Sequence, residues 1–164
     1  VMAEDATPRD ARAKIWDLIG RFQAAMLVTK SQNGALSARP ISHIVKEDEG
    51  LVYILTERNT ESARGIVEDP AALLTLADNK RYVSLSVRGS VSTDRALIER
   101  LWNPGAQAFW PNGPADPAVC ALVLRPDAGE YWDGDNALSA GVKMIIANVT
   151  GSPPDLGDHG DVRM

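Results

Sequence analysis

The segment 82–92 alternates between two kinds of side chain, and this alternation constrains the fold more than any other part of the sequence. Valine, leucine and glycine occupy its odd-numbered positions, whereas serine and arginine occupy the even-numbered positions after Tyr82. A period of two residues places alternate side chains on opposite faces of a β-strand. The pattern therefore predicts a strand with one face in the core and the other facing solvent or a cavity.

The rest of the chain predicts further strands, joined by turns and short helices. Strands are predicted at 25–29, 35–45, 51–55, 71–77 and 119–124, with a further short candidate at 130–132. Helices are predicted after the capping residues Thr7, Thr60 and Asp94, and a closing helix is predicted at 142–149. Because about six strands occur without regular strand–helix–strand units, the fold is predicted to be mainly β, an antiparallel barrel with short appended helices.

Two of these elements carry more detailed predictions. Asn33-Gly34 is typical of a hairpin turn between the first two strands. Pro40 has no N–H to donate to a ladder, so the strand that contains it is expected at a sheet edge or at a bulge. In the helix after Thr60, the residues predicted to form the buried side are Ala63, Ile66 and Val67.

Composition and charge favour a single globular domain. The chain has 164 residues, of which 45% are apolar, and a net charge of −5, which disfavours a nucleic-acid partner. No apolar run approaches the roughly 20 residues that cross a bilayer, and the N-terminus shows no signal-peptide pattern. The single Cys120 lies in an apolar run, which fits a reducing interior. We therefore expect a cytoplasmic protein without a membrane partner.

The first candidate site is the junction between the strand at 51–55 and the helix that follows it. Thr56, Thr60 and Ser62 supply hydroxyl groups there, and Arg58 and Arg64 add charged donors. Together with free backbone N–H groups at a helix start, such a cluster suits a phosphate monoester. The same residues also fit an ordinary capped surface helix with solvated arginines, and the residues alone favour that interpretation.

The second candidate site is Arg39-Pro40-Ile41-Ser42. An arginine beside a strand proline places a bidentate phosphate binder where the ladder is interrupted and backbone atoms are free to meet a ligand. An edge-strand arginine with a proline that guards against aggregation explains the same residues equally well.

Other residues with chemical potential favour structural interpretations. The stretch 109–114 is predicted to be an aromatic loop, whose Trp110 stacks on a planar ligand or fills a subunit interface. His43 is interpreted as a hydrogen-bonded structural residue rather than a general base. Cys120 is interpreted as a core residue, because apolar surroundings raise the pKa of a thiol. Two histidines and one cysteine show no metal-binding spacing, so neither a metal site nor a catalytic residue is predicted.

Several segments, in order, resemble the general stress protein family of the pyridoxamine 5'-phosphate oxidase-like, FMN-binding split barrels. The early ones are Gly34-x4-Arg39-Pro40, Leu55-Thr56, Ser62-x-Arg64, Val87-x-Gly89 and Asp94-Arg95. The late and more specific ones are Leu101-Trp102-Asn103-Pro104, the aromatic-Pro-x-Gly loop at 109–113, Asp116-Pro117 and Glu130-Tyr131-Trp132-Asp133. The resemblance extends over most of the chain, from about Trp16 to Gly151.

The resemblance implies a six-stranded antiparallel split β-barrel at 1–151, a tail at 152–164, and a homodimer with one FMN in each of two grooves at the subunit interface. The residues that it implies for cofactor binding are Arg39, Pro40, Ile41, Ser42, Leu55, Thr56, Ser62, Arg64, Trp110 and Trp132. Thr56, Ser62 and Arg64 would receive the ribityl phosphate. Arg64 replaces the lysine usual in the family, and its longer, planar side chain would hold a phosphate differently.

Three functions stay open at this point. The first is a flavin-dependent oxidoreductase, and the second is a stress protein that sequesters FMN with little turnover. The third is a split barrel that has changed its ligand to a deazaflavin or haem, or has lost it. Oxidation of pyridoxamine phosphate is not assigned, because the substrate phosphate would need a second basic pocket that the sequence does not offer.

Overall fold

The computed structural model describes residues 7–134 and 158–164, which form one antiparallel sheet with helices around it. The strands are β1 (Ala25–Lys30), β2 (Leu36–Ile41), β3 (Ile44–Lys46), β4 (Leu51–Glu57), β5 (Ala71–Ala77), β6 (Arg81–Ser92), β7 (Val119–Asp133) and β8 (Asp158–Arg163). The helices are α1 (Pro8–Arg21), α2 (Glu61–Glu68), α3 (Arg95–Leu101) and α4 (Pro104–Phe109), with a 3₁₀ turn at Glu47–Glu49. The closing helix predicted at 142–149 lies outside the described residues.

The sheet closes on itself through one chain segment. Its strand order is β2-β1-β5-β6-β7-β4-β3, with β8 paired to β7. The two strands at the ends of this order, β2 and β3, follow each other in the chain and are separated only by Ser42 and His43. The sheet is thus a split barrel, as predicted, although its described part has eight strands and not the six expected. Pro40 lies on an edge strand, as predicted. The single strand predicted at 35–45 is wrong, because the chain turns at this junction.

Strand β7 is longer than the sequence indicates. It runs unbroken from Val119 to Asp133, where two separate segments were predicted. The pairing of β6 with β7 shifts between Ser86 and Val87, and Val87 pairs with Pro126 at that irregularity. A bulge tolerates a proline because the ladder is already interrupted there. Pro126 therefore lies within a strand.

Strand β8 occupies part of the predicted tail. Residues 158–163 pair with the end of β7, so this part of the tail is regular structure. Its only apolar side chain is Val162, which is buried. A Cβ atom on Gly160 would lie 2.7 Å from the ring of Tyr131, so the glycine allows the tyrosine to pack against the strand. With one apolar residue, β8 carries no alternation that a sequence pattern could detect.

The helices begin at the predicted caps. The side chains of Thr7, Thr60 and Asp94 each accept a hydrogen bond from a backbone N–H in the first turn. Helix α2 buries Ala63 and Ile66, but Val67 is 72% exposed, so its predicted burial is wrong. On a helix of eight residues, Val67 follows Ile66 by one position and therefore lies on the next face.

The core fills the barrel and extends under α1, whose buried residues include Ile15, Leu18 and Ile19. The alternation in β6 is confirmed, since Val83, Leu85 and Val87 are buried while the serines between them are not. A second apolar cluster lies under α3 and contains, among others, Tyr53, Ile98 and Leu101. None of the helices among the described residues is long and apolar enough to span a membrane.

Candidate functional site

A cavity of about 440 Å³ lies where β2 meets β3. Residues 40–44 of that junction and residues 54–56 of β4 form two of its walls. A third wall comes from Asn103, Gly105, Ala106, Phe109 and Trp110, at and around α4. We call this the apolar cavity, because none of its lining residues carries an aspartate, glutamate, lysine or arginine side chain. Such walls suit a planar, largely apolar ring system.

The α4 wall departs from the predicted aromatic loop, because Phe109 ends a short helix. Asn103 caps this helix by accepting a hydrogen bond from the backbone N–H of Ala106 at 2.9 Å. Pro104 occupies the first helical position, where a missing N–H costs nothing. The Asn103-Pro104 pair therefore follows the end of α3 at Leu101 and starts a new helix.

Trp110 is held in the cavity wall by a hydrogen bond and by a neighbouring indole ring. Its Nε1–H donates to the Glu57 carboxylate at 3.1 Å, and its ring lies 6.1 Å from that of Trp102. Trp102 in turn donates its Nε1–H to Gln107 at 2.9 Å. Phe109, next to Trp110, is 79% exposed. The wall thus presents a held indole and, with its centroid 5.9 Å away, the exposed phenyl ring of Phe109.

The structure brings six of the predicted cofactor-binding residues to the apolar cavity. They are Pro40, Ile41, Ser42, Leu55, Thr56 and Trp110. The remaining four, Arg39, Ser62, Arg64 and Trp132, do not line it.

Arg39 lies next to the cavity but is engaged elsewhere. Its guanidinium forms an ion pair with the carboxylate of Glu61 at the start of α2. Hydrogen bonds from Arg39 and then Ser37 hold the pKa of Glu61 below its ordinary value of 4.5, and the charge of Arg64 lowers it further. Arg39 and Arg64 thus both stabilise the negative charge of the Glu61 carboxylate.

Arg64 and Ser62 lie on the far side of that ion pair. Arg64 lines a second cavity of about 380 Å³ between the β1–β2 turn and α2, together with Lys30, Glu61 and Glu68. We call this the charged cleft. Ser62 is 6% exposed and lines neither cavity. The two predicted phosphate ligands on α2 therefore lie outside the lining of the apolar cavity.

Trp132 lies at the opposite end of β7. Thr56, in the cavity wall, pairs with Cys120, and Trp132 follows Cys120 by twelve residues on the same strand. At the rise of an antiparallel strand this amounts to roughly 40 Å. Trp132 stacks instead on His159 of β8, with the ring centroids 5.0 Å apart.

Two residues differ in how well the sequence predicted them. Cys120 is fully buried, and that burial raises the pKa of its thiol, so its assignment to the core is confirmed. His43 lines the apolar cavity, which the sequence analysis did not predict. Its Nε2 lies 2.7 Å from the carbonyl oxygen of Ile19, while its Nδ1 is buried without a hydrogen-bond partner.

Comparison with known proteins identifies the family to which this chain is similar. Residues 10–155 match the family described as pyridoxamine 5'-phosphate oxidase like. No protein with a curated description matches the chain. Among solved structures, a putative general stress protein 26 from Jannaschia sp. CCS1 is 28% identical, with 95% of this chain and 99% of that chain covered and a TM-score of 0.74.

Two further solved structures share the fold at lower identity. The general stress FMN/FAD binding protein from the phytopathogen Xanthomonas citri is 22% identical, with 79% of this chain and 92% of that chain covered and a TM-score of 0.68. A protein described as F420 reductase is 17% identical, with 69% and 93% covered and a TM-score of 0.54. Since the family match spans most of the described barrel, the chain belongs to the pyridoxamine 5'-phosphate oxidase-like family, as its sequence motifs predict.

Proposed function

We propose that this protein binds FMN in the apolar cavity and acts as a flavin-dependent oxidoreductase. The observation that carries the proposal is the gathering of Pro40, Ile41 and Ser42 with Leu55, Thr56 and Trp110 around one cavity. The name of the Xanthomonas citri protein, an FMN/FAD binding protein of the same fold, supports the same ligand class.

The walls fit an isoalloxazine ring. The cavity volume of about 440 Å³ lies within the range of small-molecule sites, which are mostly apolar with a few polar groups. The break between β2 and β3 leaves backbone groups outside the ladder, so they are available to the polar edge of the ring. Trp110 and Phe109 offer aromatic faces for stacking.

The phosphate end of the cofactor is proposed to lie at Arg39, with Ser62 and Arg64 behind it. The lowered pKa of Glu61 supports this position, because Arg39 and Arg64 both stabilise a negative charge there. A phosphate that approaches along β2 would compete with the Glu61 carboxylate for Arg39. Binding therefore requires the Glu61 side chain to turn away or to share the guanidinium.

A second copy of the chain is proposed to complete the groove. Phe109 stands 79% exposed beside the cavity, and a large exposed aromatic residue is typical of a surface that a partner covers. Trp132 is 40% exposed and roughly 40 Å along the sheet from the cavity wall. Trp132 can therefore reach a flavin only from a second copy.

Bound FMN would supply the transfer of a hydride or of single electrons. The chain's own residues would hold the ring, exclude water from one of its faces and leave the other for a reductant or substrate. Of the residues that line the cavity, only His43 carries an imidazole, and none carries a carboxylate, thiol, ammonium or guanidinium group. This scarcity of proton donors keeps a second function in view, a protein that binds flavin without turning over.

Purified protein tests the cofactor directly. We expect a flavin absorbance spectrum from the protein as isolated, or quenching of FMN fluorescence on titration, and two FMN per dimer. Reduction by NAD(P)H and reoxidation at a catalytic rate would support the oxidoreductase, whereas stable binding without turnover would support the second function. A protein that binds neither FMN nor FAD, but does bind the deazaflavin F420, would contradict the proposed ligand.

A further inference from the structure

The guanidinium of Arg95 binds the backbone of a distant part of the chain. Arg95 is the first residue of α3 and is partly buried. Its Nη1 donates hydrogen bonds to the carbonyl oxygens of Pro114 at 3.1 Å and Asp116 at 2.7 Å, and its Nη2 donates to that of Val119. The fixed fork of donors on a guanidinium suits several acceptors at once. Arg95 therefore ties the start of α3 to the segment 114–119.

The segment that Arg95 binds connects Trp110 to β7. The N–H of Gly113 donates to the carbonyl of Trp110 at 3.0 Å, and the N–H of Asp116 donates to that of Gly113 at 3.1 Å. The N–H of Val119 then donates to the carbonyl of Asp116 at 3.1 Å. Because these turns follow one another without a gap, the backbone from Trp110 to Val119 has little freedom of its own. Its position depends on contacts from outside, of which Arg95 supplies three.

The indole ring of Trp110 is supported at the same place. Its Nε1–H donates to the carboxylate of Glu57 at 3.1 Å. Glu57 pairs with Val119 at the start of β7, and the carbonyl of Val119 is an acceptor of Arg95. The backbone that follows Trp110 and the carboxylate that holds its ring therefore both depend on the position of residues that Arg95 binds.

Arg95 does not itself line the apolar cavity, so its effect on the cavity passes through Trp110, which does. A wall that is ordered before a ligand arrives lowers the free-energy cost of binding, because its side chains need not be immobilised at that point. Removal of the guanidinium would leave three carbonyl groups without their donor and would allow the segment 111–118 to shift.

We propose that Arg95 is a positioning residue, which fixes Trp110 in the wall of the apolar cavity and so sets how tightly the cavity holds a flavin ring. This inference rests on the proposed function, and it assigns a binding role to a side chain that does not touch the cofactor.

Two arginines of α3 provide a matched pair of variants. Arg100, in the last turn of the helix, donates two hydrogen bonds to the carboxylate of Glu49 and none to the segment 114–119. We expect Arg95→Ala to weaken the binding of FMN and of riboflavin equally, by about tenfold, because the ring wall is common to both ligands. Arg100→Ala should bind both within about twofold of the wild type. Equal affinities in the two variants would overturn the inference, as would a loss for FMN that riboflavin does not share.

The position of Trp110 can be measured without any ligand. The chain has four tryptophans, and ¹⁹F spectra of protein labelled with 5-fluorotryptophan resolve them, with Trp110 assigned from its loss in Trp110→Phe. We expect the Trp110 resonance to shift or broaden in Arg95→Ala and to keep its wild-type position in Arg100→Ala. Trp132, at the other end of β7, should be unmoved in both variants and so reports that the sheet is intact.

A milder variant keeps the test valid if Arg95→Ala fails to fold. Arg95→Lys retains the charge but replaces the planar fork with one ammonium, which cannot hold all three carbonyls in the same geometry. We expect riboflavin binding about threefold weaker than in the wild type and a smaller displacement of the Trp110 resonance. Wild-type affinity together with an unmoved resonance would overturn the inference alone, whereas wild-type protein that binds no flavin would overturn the proposed function.

Discussion

Two cavities flank the Arg39–Glu61 ion pair, and they differ in chemistry far more than in size. The apolar cavity measures about 440 Å³ and the charged cleft about 380 Å³. The first is walled by a strand break and an aromatic helix end, without a charged side chain in its lining. The second is lined by Lys30, Glu61, Arg64 and Glu68.

The difference shows which half of a flavin nucleotide each region can serve. A planar ring gains from apolar and aromatic walls, which the charged cleft lacks. Two of the four charged side chains of the cleft already have ion-pair partners, since Lys30 lies 3.4 Å from Asp69 and Glu61 pairs with Arg39. The ring is therefore expected in the apolar cavity, with its phosphate at the boundary that Arg39 and Glu61 form.

The largest expected effect on flavin binding comes from a tryptophan substitution that fills the apolar cavity, compared with one that fills the charged cleft. Ser42 is exposed at the rim of the apolar cavity, and a tryptophan there would occupy the space proposed for the ring. We expect Ser42→Trp to weaken the binding of both FMN and riboflavin at least about a hundredfold. Isothermal titration or fluorescence quenching measures both ligands.

The matched control is Gln32→Trp, at an equally exposed position of the charged cleft. It should bind both ligands within about twofold of the wild type. If Gln32→Trp loses binding while Ser42→Trp keeps it, the ring belongs in the cleft and the assignment of the two regions is wrong.

The next effect separates ring from phosphate. Arg39→Ala removes the guanidinium beside the apolar cavity, and a charge-assisted hydrogen bond to phosphate is among the stronger contacts that a side chain makes. We expect FMN binding to weaken roughly tenfold. The effect is limited because wild-type Arg39 must give up its ion pair with Glu61 to contact the phosphate, which offsets part of the free energy of that contact. Riboflavin, which has no phosphate, should bind as it does to the wild type.

Arg64→Ala extends this comparison into the cleft. Its loss for FMN should be smaller than that of Arg39→Ala, because Arg64 lines the charged cleft, whereas Arg39 is the chain neighbour of Pro40 in the apolar cavity. If Arg39→Ala weakened riboflavin binding as much as FMN binding, Arg39 would support the cavity wall and would not bind the phosphate.

The sequence predicted the parts of the fold whose signals are local. The alternation of β6 and the caps at Thr7 and Thr60 each lie within a few residues of the element that they define. The missed elements depend on distant partners. Strand β8 has one buried apolar residue, Val162, and is held by pairing with β7. The continuity of β7 between the predicted strands 119–124 and 130–132 depends on its pairing with β6, which accommodates Pro126 at an irregularity opposite Val87.

The same division holds for the candidate site. The chain neighbours Pro40, Ile41 and Ser42 reach the cavity together because one strand break carries them. The contact of His43 with Ile19 spans 24 residues and leaves no local pattern, so His43 was assigned a structural role alone. The pairing of Arg39 with Glu61 across 22 residues is equally invisible in a single sequence. The sequence therefore does not show that Arg39, a predicted phosphate ligand, already pairs with the Glu61 carboxylate.

A smaller effect, of opposite sign, comes from removing that carboxylate. Glu61→Gln frees Arg39 and removes a negative charge from the boundary where the phosphate is proposed to lie. We expect FMN to bind about two- to threefold more tightly, which is the scale of an exposed ion pair, and riboflavin to bind unchanged. Glu68→Gln is the matched control, since Glu68 lines the same cleft without a described contact to Arg39. Tighter FMN binding in both variants would indicate a general charge effect rather than competition at Arg39.

The smallest effect concerns pH and the stability of the protein without ligand. Arg39 and Ser37 lower the pKa of Glu61 in the folded state, so the folded protein favours the charged form more than the unfolded chain does. The contribution of the pair to stability is therefore present above about pH 4.5 and is lost as the pH falls through the lowered pKa. Urea unfolding of the wild type and of Glu61→Gln, from about pH 3 to about pH 7, should give midpoints that differ most at neutral pH and converge in acid. Because Glu61 is partly exposed, the difference should be small, and raising the salt concentration should shrink it further. A Glu61→Gln variant that is more stable than the wild type at neutral pH would mean that the carboxylate opposes folding at the boundary of the two cavities, and Arg39 would then be free to meet a phosphate without competition.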